Sequence, residues 1–120
     1  MLVVGGDVAG NLARATARIV EAAARGADLV VLPECLDIGW TDSRARDLAE
    51  PVPGPTSEAL CAAARGNRVW VAAGVTERDG DKLRNAAILV DREGVVRARH
   101  RKINELAFAR ALYTPGEELR

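Results

Sequence analysis

The feature that most constrains the fold is an apolar run over residues 27–32, which ends at Pro33. A run this short cannot cross a bilayer, and its valines and leucines are typical of a strand buried inside a sheet. Proline ends such a strand because it lacks the backbone N–H that the next ladder hydrogen bond needs. Glu34 follows directly, so the sequence places a carboxylate at a strand end beside a loop. Enzymes with α/β folds often carry catalytic groups at such positions.

Helical and strand-like patterns alternate along the rest of the chain. Asp7 is a suitable N-cap for a first helix over residues 8–25, and Gly26 is suited to end that helix. The proline-rich segment 51–55 is expected to exclude regular structure. The other predicted elements are a short helix over 43–50, a helix capped by Thr56 or Ser57 that runs to about Arg65, and strands over 29–32, 69–76, 85–90 and 95–102.

This order of elements predicts an α/β fold with a mixed sheet and with helices on one face of that sheet. A helical crossover joins the first two strands, and turn signals at 78–81 and 91–94 make the rest a meander. So few strands and helices leave the other sheet face open. We therefore expect residues 1–120 to be a partial domain, without its first strand and truncated at its C-terminal end.

Charge and cysteine content exclude several classes of protein. The 17 basic and 17 acidic side chains give a formal net charge of zero, which argues against capture of nucleic acid or of an anionic membrane. No apolar run is long enough to span a bilayer, and no signal peptide is visible. Two cysteines do not make a disulfide framework, so we expect a reducing, cytoplasmic setting.

One acidic side chain, Glu34, and one basic side chain, Lys102, lie at two predicted strand ends. A carboxylate in a dry cleft can have a raised pKa and accept a proton near neutral pH. A nearby ammonium can stabilise an oxyanion that develops on a carbonyl group. Taken alone, two such residues are more often an ordinary loop carboxylate and a strand-edge charge. Other segments of the sequence favour the catalytic interpretation of this pair.

Several segments in order along the chain resemble the N-terminal part of the nitrilase superfamily, the carbon–nitrogen hydrolases. The segments are 11–15, 26–34 with its Leu-Pro-Glu end, 51–55, 100–103 with its Arg-Lys pair, and 113–118. The resemblance implies part of a four-layer α-β-β-α sandwich and a Glu-Lys-Cys catalytic set that cleaves a small amide, carbamoyl compound or nitrile. It also implies that no cofactor is needed and that the full-length protein is a homo-oligomer.

The resemblance assigns roles to individual residues of this sequence. It implies that Glu34 is the general base and Lys102 the group that stabilises the oxyanion. Many members carry a further glutamate that positions substrate, and Glu105 is the nearest candidate, followed by Glu117 or Glu118. The nucleophilic cysteine of the family follows a later strand, and no matching segment exists here. We therefore expect the isolated chain to be inactive.

Neither cysteine of this chain is a good substitute for that nucleophile. Cys35 follows Glu34 directly, so the two side chains diverge in an extended segment. Cys61 lies within a predicted helix between Leu60 and Ala62, where it suits a small buried side chain. A reactive thiol needs an electropositive and accessible niche, so both cysteines are predicted to be structural.

Two other functions stay open at this stage. The chain could be a non-catalytic α/β module that acts through binding or assembly. The glycine-rich segment 5–10 could also suggest a nucleotide loop, but Asp7 stands where the fingerprint needs its second glycine, and a carboxylate there would repel pyrophosphate. His100 is the single histidine, so no metal site is predicted.

Overall fold

The computed structural model describes residues 1–119 and has mixed α/β architecture. The four strands form one sheet in the order β1-β2-β3-β4, with β1 parallel to β2 and the other neighbours antiparallel. The predicted crossover and meander are confirmed. The elements are α1 (Val8–Ala24), β1 (Leu29–Val31), α2 (Ala45–Leu48), α3 (Pro55–Asn67), β2 (Trp70–Asp79), β3 (Lys82–Val90), β4 (Val96–Arg101) and a 3-10 turn (Ala109–Ala111).

The two long helices pack against each other and against the same face of the sheet. Their inward residues are small or branched, which lets the helices approach the strands closely. Alternate residues of each strand point to this core, as expected from the two-residue period of a strand. The core is formed by Ala15 and Ile19 of α1, Leu60, Ala63 and Ala64 of α3, and Val30, Val71, Ala73, Val75, Ala86, Ile88 and Val90 of the strands.

The opposite face of the sheet is open within the described residues. Val31 of β1 is 73% exposed and Leu29 is 49% exposed. In the strand register, Val31 stands beside Ala72 of β2, which in turn stands beside Leu89 of β3. This apolar stripe confirms the prediction that the helices cover one face.

The second long helix begins earlier than predicted. Pro55 is its first residue, because a proline at this position loses no intrahelical hydrogen bond. Gly54 is the N-cap. The hydroxyl of Ser57 accepts a hydrogen bond from the N–H of Gly54 at 2.9 Å and donates one to the carbonyl of Gly54 at 3.0 Å. The expectations that residue 56 or 57 is the cap and that residues 51–55 are all irregular are therefore wrong, because Gly54 is the cap and Pro55 is helical.

The N-terminal residues and the β2–β3 hairpin complete the fold. Residues 1–4 form no strand, but Met1 and Val3 pack against the core. β2 and β3 extend further than predicted, to a tight turn in which Gly80 has a φ of 63°. Of the helices in residues 1–119, none has the length and apolar character to cross a membrane.

Candidate active site

Glu34 is held by backbone contacts that continue past the end of β1. The N–H of Leu32 donates to the carbonyl of Ala72 at 2.8 Å, the N–H of Gly74 donates to Pro33 at 3.1 Å, and the N–H of Leu36 donates to Gly74 at 2.9 Å. The segment around Glu34 therefore lies directly on β2, although it is too irregular to count as a strand.

Gly74 makes this close approach possible. A Cβ atom at this position would lie 2.5 Å from the Cα of Glu34 and 2.7 Å from the carbonyl oxygen of Pro33. Both distances are far inside van der Waals contact, so a residue without a side chain is required here. The sequence pattern of β2 gives no sign of this requirement, because it depends on what lies against the strand.

Lys102 is delivered from the opposite edge of the sheet. Its backbone N–H donates to the carbonyl of Asn85 at 2.8 Å, which continues the β3–β4 ladder by one residue. Its own carbonyl accepts from Gly116 at 2.8 Å. The backbone of Lys102 is thus fixed on both sides.

A buried carboxylate anchors the strand that leads to Lys102. Glu77 of β2 is almost fully buried and accepts hydrogen bonds from Arg99 at 2.9 Å and from Arg101 at 2.8 and 2.7 Å. These contacts span the intervening strand β3. They tie the end of β4 to β2 immediately before Lys102.

The two predicted side chains meet in the structure. The Nζ atom of Lys102 lies 2.8 Å from Oε1 of Glu34. The side-chain amide of Asn85, in β3, donates to the same oxygen at 2.6 Å. Both glutamate and lysine remain partly exposed, at 45% and 36% of their side-chain surface, so a solute can reach them.

The surroundings determine the charge of this pair. Burial opposes ionisation of Glu34, but the hydrogen bonds from Lys102 and Asn85 outweigh it and lower the pKa of Glu34 below its ordinary value. The hydrogen bond to Glu34 raises the pKa of Lys102 against a smaller effect of burial. The expectation of a raised Glu34 pKa is therefore not met, because the carboxylate is paired rather than isolated.

Glu105 lies on the other side of the lysine. Its side chain is fully buried, and one oxygen lies 3.9 Å from Nζ of Lys102. No donor among residues 1–119 forms a hydrogen bond to either oxygen. Burial raises the pKa of Glu105, the Lys102 ammonium opposes that rise, and the Glu34 carboxylate adds to it. Glu117 and Glu118 instead line a separate cleft.

A cleft of about 350 Å³ opens beside the pair on the uncovered face of the sheet. Its walls are mostly apolar with a few polar groups, which is typical of small-molecule sites. The lining residues are Val31, Leu32, Glu34, Ala72, Ala73, Gly74, Asn85, Ala86, Ala87, His100 and Lys102. Trp40 adds an aromatic ring, whose centroid lies 5.9 Å from Nζ of Lys102.

Both cysteines lie outside this cleft. Cys35 is fully buried, with Sγ 3.7 Å from the hydroxyl of Tyr113, and burial raises the pKa of its thiol to about 11. Cys61 lies on α3, and burial raises its pKa as well. Neither thiol has the lowered pKa or the access that a nucleophile needs.

The glycine-rich segment forms a turn into α1. Asp7 caps the helix by accepting from the N–H of Gly10 at 3.1 Å, and its carboxylate pairs with Arg14 at 3.1 Å. An anion at this helix end would meet that carboxylate. Within residues 1–119, no group of three or more His, Cys, Asp or Glu side chains is arranged to hold a metal ion.

Sequence reasoning missed Asn85 and Gly74. Asn85 reads as an ordinary strand residue, and its importance follows from the register that sets it opposite Thr76 and next to Glu34. A polar side chain inside an otherwise apolar strand was the available signal, since buried amides need partners.

Comparison with known proteins defines the class. A family model described as carbon-nitrogen hydrolase matches residues 4–120. The chain therefore belongs to the carbon–nitrogen hydrolase family. Its solved structural neighbours include members of the nitrilase superfamily, with a TM-score of 0.85 over 97% of this chain.

Particular relatives make the similarity concrete. The chain is 36% identical over 111 residues to a nitrilase of Pyrococcus abyssi, an alignment that covers 89% of this chain and 42% of that protein. It is 34% identical over 95 residues to an omega-amidase of Mus musculus, covering 78% of this chain and 34% of that protein. A variant of a Nesterenkonia amidase, with acrylamide added at its active-site cysteine, is 21% identical with a TM-score of 0.85, covering 97% and 47%. The chain thus spans less than half of each relative.

Proposed function

We propose that this chain supplies the base and the cation of a carbon–nitrogen hydrolase. In this proposal Glu34 is the general base and Lys102 stabilises the oxyanion. The nucleophilic cysteine comes from residues outside this sequence. The contact of 2.8 Å between Lys102 and Glu34, in the lining of a mostly apolar cleft, carries the proposal. The substrate is a small amide, carbamoyl compound or nitrile that fits a space of about 350 Å³.

The proposed chemistry uses each group once. Glu34 accepts the thiol proton, and the thiolate adds to the carbon of an amide. The oxygen of that carbon gains negative charge, which the Lys102 ammonium stabilises. The proton passes to the nitrogen, the C–N bond breaks and ammonia or an amine leaves. Water then cleaves the thioester, which releases the acid and restores the thiol.

The ionisation of the pair suits these roles. A lowered pKa keeps Glu34 in the carboxylate form at neutral pH, ready to accept a proton. A raised pKa keeps Lys102 in the ammonium form over the same range. The two groups are therefore charged together before substrate binds.

Glu105 is proposed to position the substrate. Its carboxylate is buried beside Lys102 and has no hydrogen-bond donor among residues 1–119. A primary amide offers an NH₂ group, and donation to this oxygen would satisfy a buried acceptor that is otherwise costly to leave unpaired.

The relatives support this reaction class. The similar proteins include a nitrilase and omega-amidases, and the amidase neighbour is described with a covalent adduct on an active-site cysteine.

We further propose that the whole protein is cytoplasmic, needs no cofactor and assembles as a homo-oligomer. The zero net charge supports the absence of nucleic-acid or membrane partners.

Ammonia release tests the proposal in the protein expressed from the complete reading frame that contains this chain. Short amides, N-carbamoyl compounds and nitriles are offered to the wild type and to the Glu34→Gln and Lys102→Met variants. We expect each substitution to lower kcat/KM by about 100-fold or more, because each removes a group used in the transition state. Glu93→Gln, in the exposed β3–β4 turn, is the matched control.

The same experiment also distinguishes the hydrolase from the second candidate function, a non-catalytic binding or assembly module. The open apolar face of the sheet is the observation that favours this alternative. Wild-type protein that releases no ammonia from any of the three substrate classes, and whose reading frame holds no further cysteine, would favour the module. Activity that survives both substitutions would reject the assigned roles.

A further inference from the structure

Asn85 contacts both proposed catalytic residues. Its side-chain amide donates to Oε1 of Glu34 at 2.6 Å, and its backbone carbonyl accepts from the N–H of Lys102 at 2.8 Å. The side chain is buried and belongs to the central strand β3, so its position is fixed by ladders on both sides.

The two donors meet at one oxygen atom. Lys102 and Asn85 both donate to Oε1 of Glu34, and no hydrogen bond from residues 1–119 to Oε2 is seen. We propose that Asn85 is a positioning residue that, together with Lys102, commits Oε1 and leaves Oε2 as the oxygen that accepts the proton of the nucleophile. This inference rests on the proposed function.

A neutral donor is suited to this task because the lysine has a second role. When negative charge develops on the substrate, the Lys102 ammonium must turn part of its hydrogen bonding towards it. A carboxylate held by Lys102 alone would then lose its orientation. Asn85 has no charge to turn towards the substrate, and its backbone is held between two neighbouring strands, so its amide can keep the hydrogen bond to Oε1. The proton acceptor therefore keeps its direction through the reaction.

The titration of Glu34 provides the test, in the 120-residue chain with ¹³C-labelled glutamate. Side-chain carboxyl shifts are followed against pH in the wild type, Asn85→Ala and Asn85→Asp. The pKa of Glu34 is expected to rise when the donor is removed, and to rise further in Asn85→Asp, because two carboxylates then face each other. Asn67→Ala is the control: Asn67 donates to the carbonyl of Ala63 at the end of α3, away from the cleft.

A wild-type measurement protects the test against misfolded variants. The side-chain amide protons of Asn85 are expected to shift with pH at the same midpoint as the Glu34 carboxyl, while those of Asn67 do not. An unchanged Glu34 midpoint in a folded Asn85→Ala chain, or Asn85 amide signals insensitive to Glu34 ionisation, would overturn the inference. Neither result touches the proposed function, which fails instead if Glu34→Gln leaves ammonia release intact.

Discussion

Glu34 and Glu105 lie beside the same ammonium group, yet their surroundings shift their pKa values in opposite directions. Two hydrogen bonds lower the pKa of Glu34, whereas burial raises that of Glu105. Paired acids with divided pKa values are a feature of sites that need an ionised group and a more easily protonated one. In this cleft the carboxyl group with the lowered pKa, Glu34, is the more accessible of the two, with 45% of its side-chain surface exposed.

The buried carboxylate of Glu105 makes stability depend on pH. Its pKa is higher in the folded state, so between the unfolded value and the folded value the folded protein holds the extra proton. The contribution of Glu105 to stability is therefore greatest at low pH and falls as pH rises through that window. We expect Glu105→Gln, which cannot ionise, to be more stable than wild type at pH 7 by about 1 kcal/mol, and nearly equal to it at pH 4.

Urea unfolding at the two pH values measures this difference. Glu93→Gln, which removes an exposed carboxylate, is the control and should leave stability unchanged at both. A Glu105→Gln chain that is less stable than wild type at pH 7 would show that the Lys102 ammonium compensates the buried charge fully.

At the level of secondary structure, the site depends on β2, because the backbone segment that carries Glu34 packs directly against this strand. β2 pairs with β3 on one side and receives the Pro33–Cys35 segment on the other, and Gly74 is the contact point. The Glu34 carboxylate is therefore positioned by backbone packing, not by its own side-chain contacts alone.

Gly74→Ala is expected to destabilise the protein by about 1–3 kcal/mol, because its Cβ would overlap the backbone of Glu34. The displaced segment should also lose the contact between Glu34 and Lys102, seen as a higher Glu34 pKa. Thermal unfolding and the carboxyl titration measure the two effects.

Gly66→Ala is the matched control for this substitution. Gly66 lies inside α3, and a Cβ there would meet nothing within 4 Å. Alanine has the higher helix propensity, so this variant should gain up to about 1 kcal/mol. Equal effects of the two substitutions would mean that the backbone approach at Gly74 is looser than the structure indicates.

Most of the secondary structure could be predicted from the sequence. Periodicity and breakers predict α1, the four strands and their order, because each is encoded by residues close together in the chain. The positions of Glu34 and Lys102 follow from the strand ends. The hydrogen bond from Asn85 to Glu34 and the lowered pKa of Glu34 could not be predicted, since both arise from the register that sets three separate segments side by side.

In the whole molecule, one face of the sheet is packed by helices and the other is not. Folded domains bury sheets on at least one face, and an exposed apolar stripe of this kind binds other apolar surfaces. The cleft beside Glu34 lies on the same open face, so whatever covers this face also bounds the site. Among residues 1–119, β1 is in addition an edge strand of the sheet, and such a strand can pair with a further strand along its outer side.

We expect the isolated chain to bind a hydrophobic dye and to self-associate through this open face. Val31→Lys places a charge on the edge strand at its most exposed apolar position, and should reduce dye fluorescence several-fold and shift sedimentation towards the monomer. Val20→Lys is the matched control, because Val20 is also exposed, at 47%, but lies on α1. If both variants reduce association equally, added charge alone explains the effect. If only Val31→Lys does so, the chains associate through the open sheet face that carries the cleft. Small amides should then compete with association, because both need the same space.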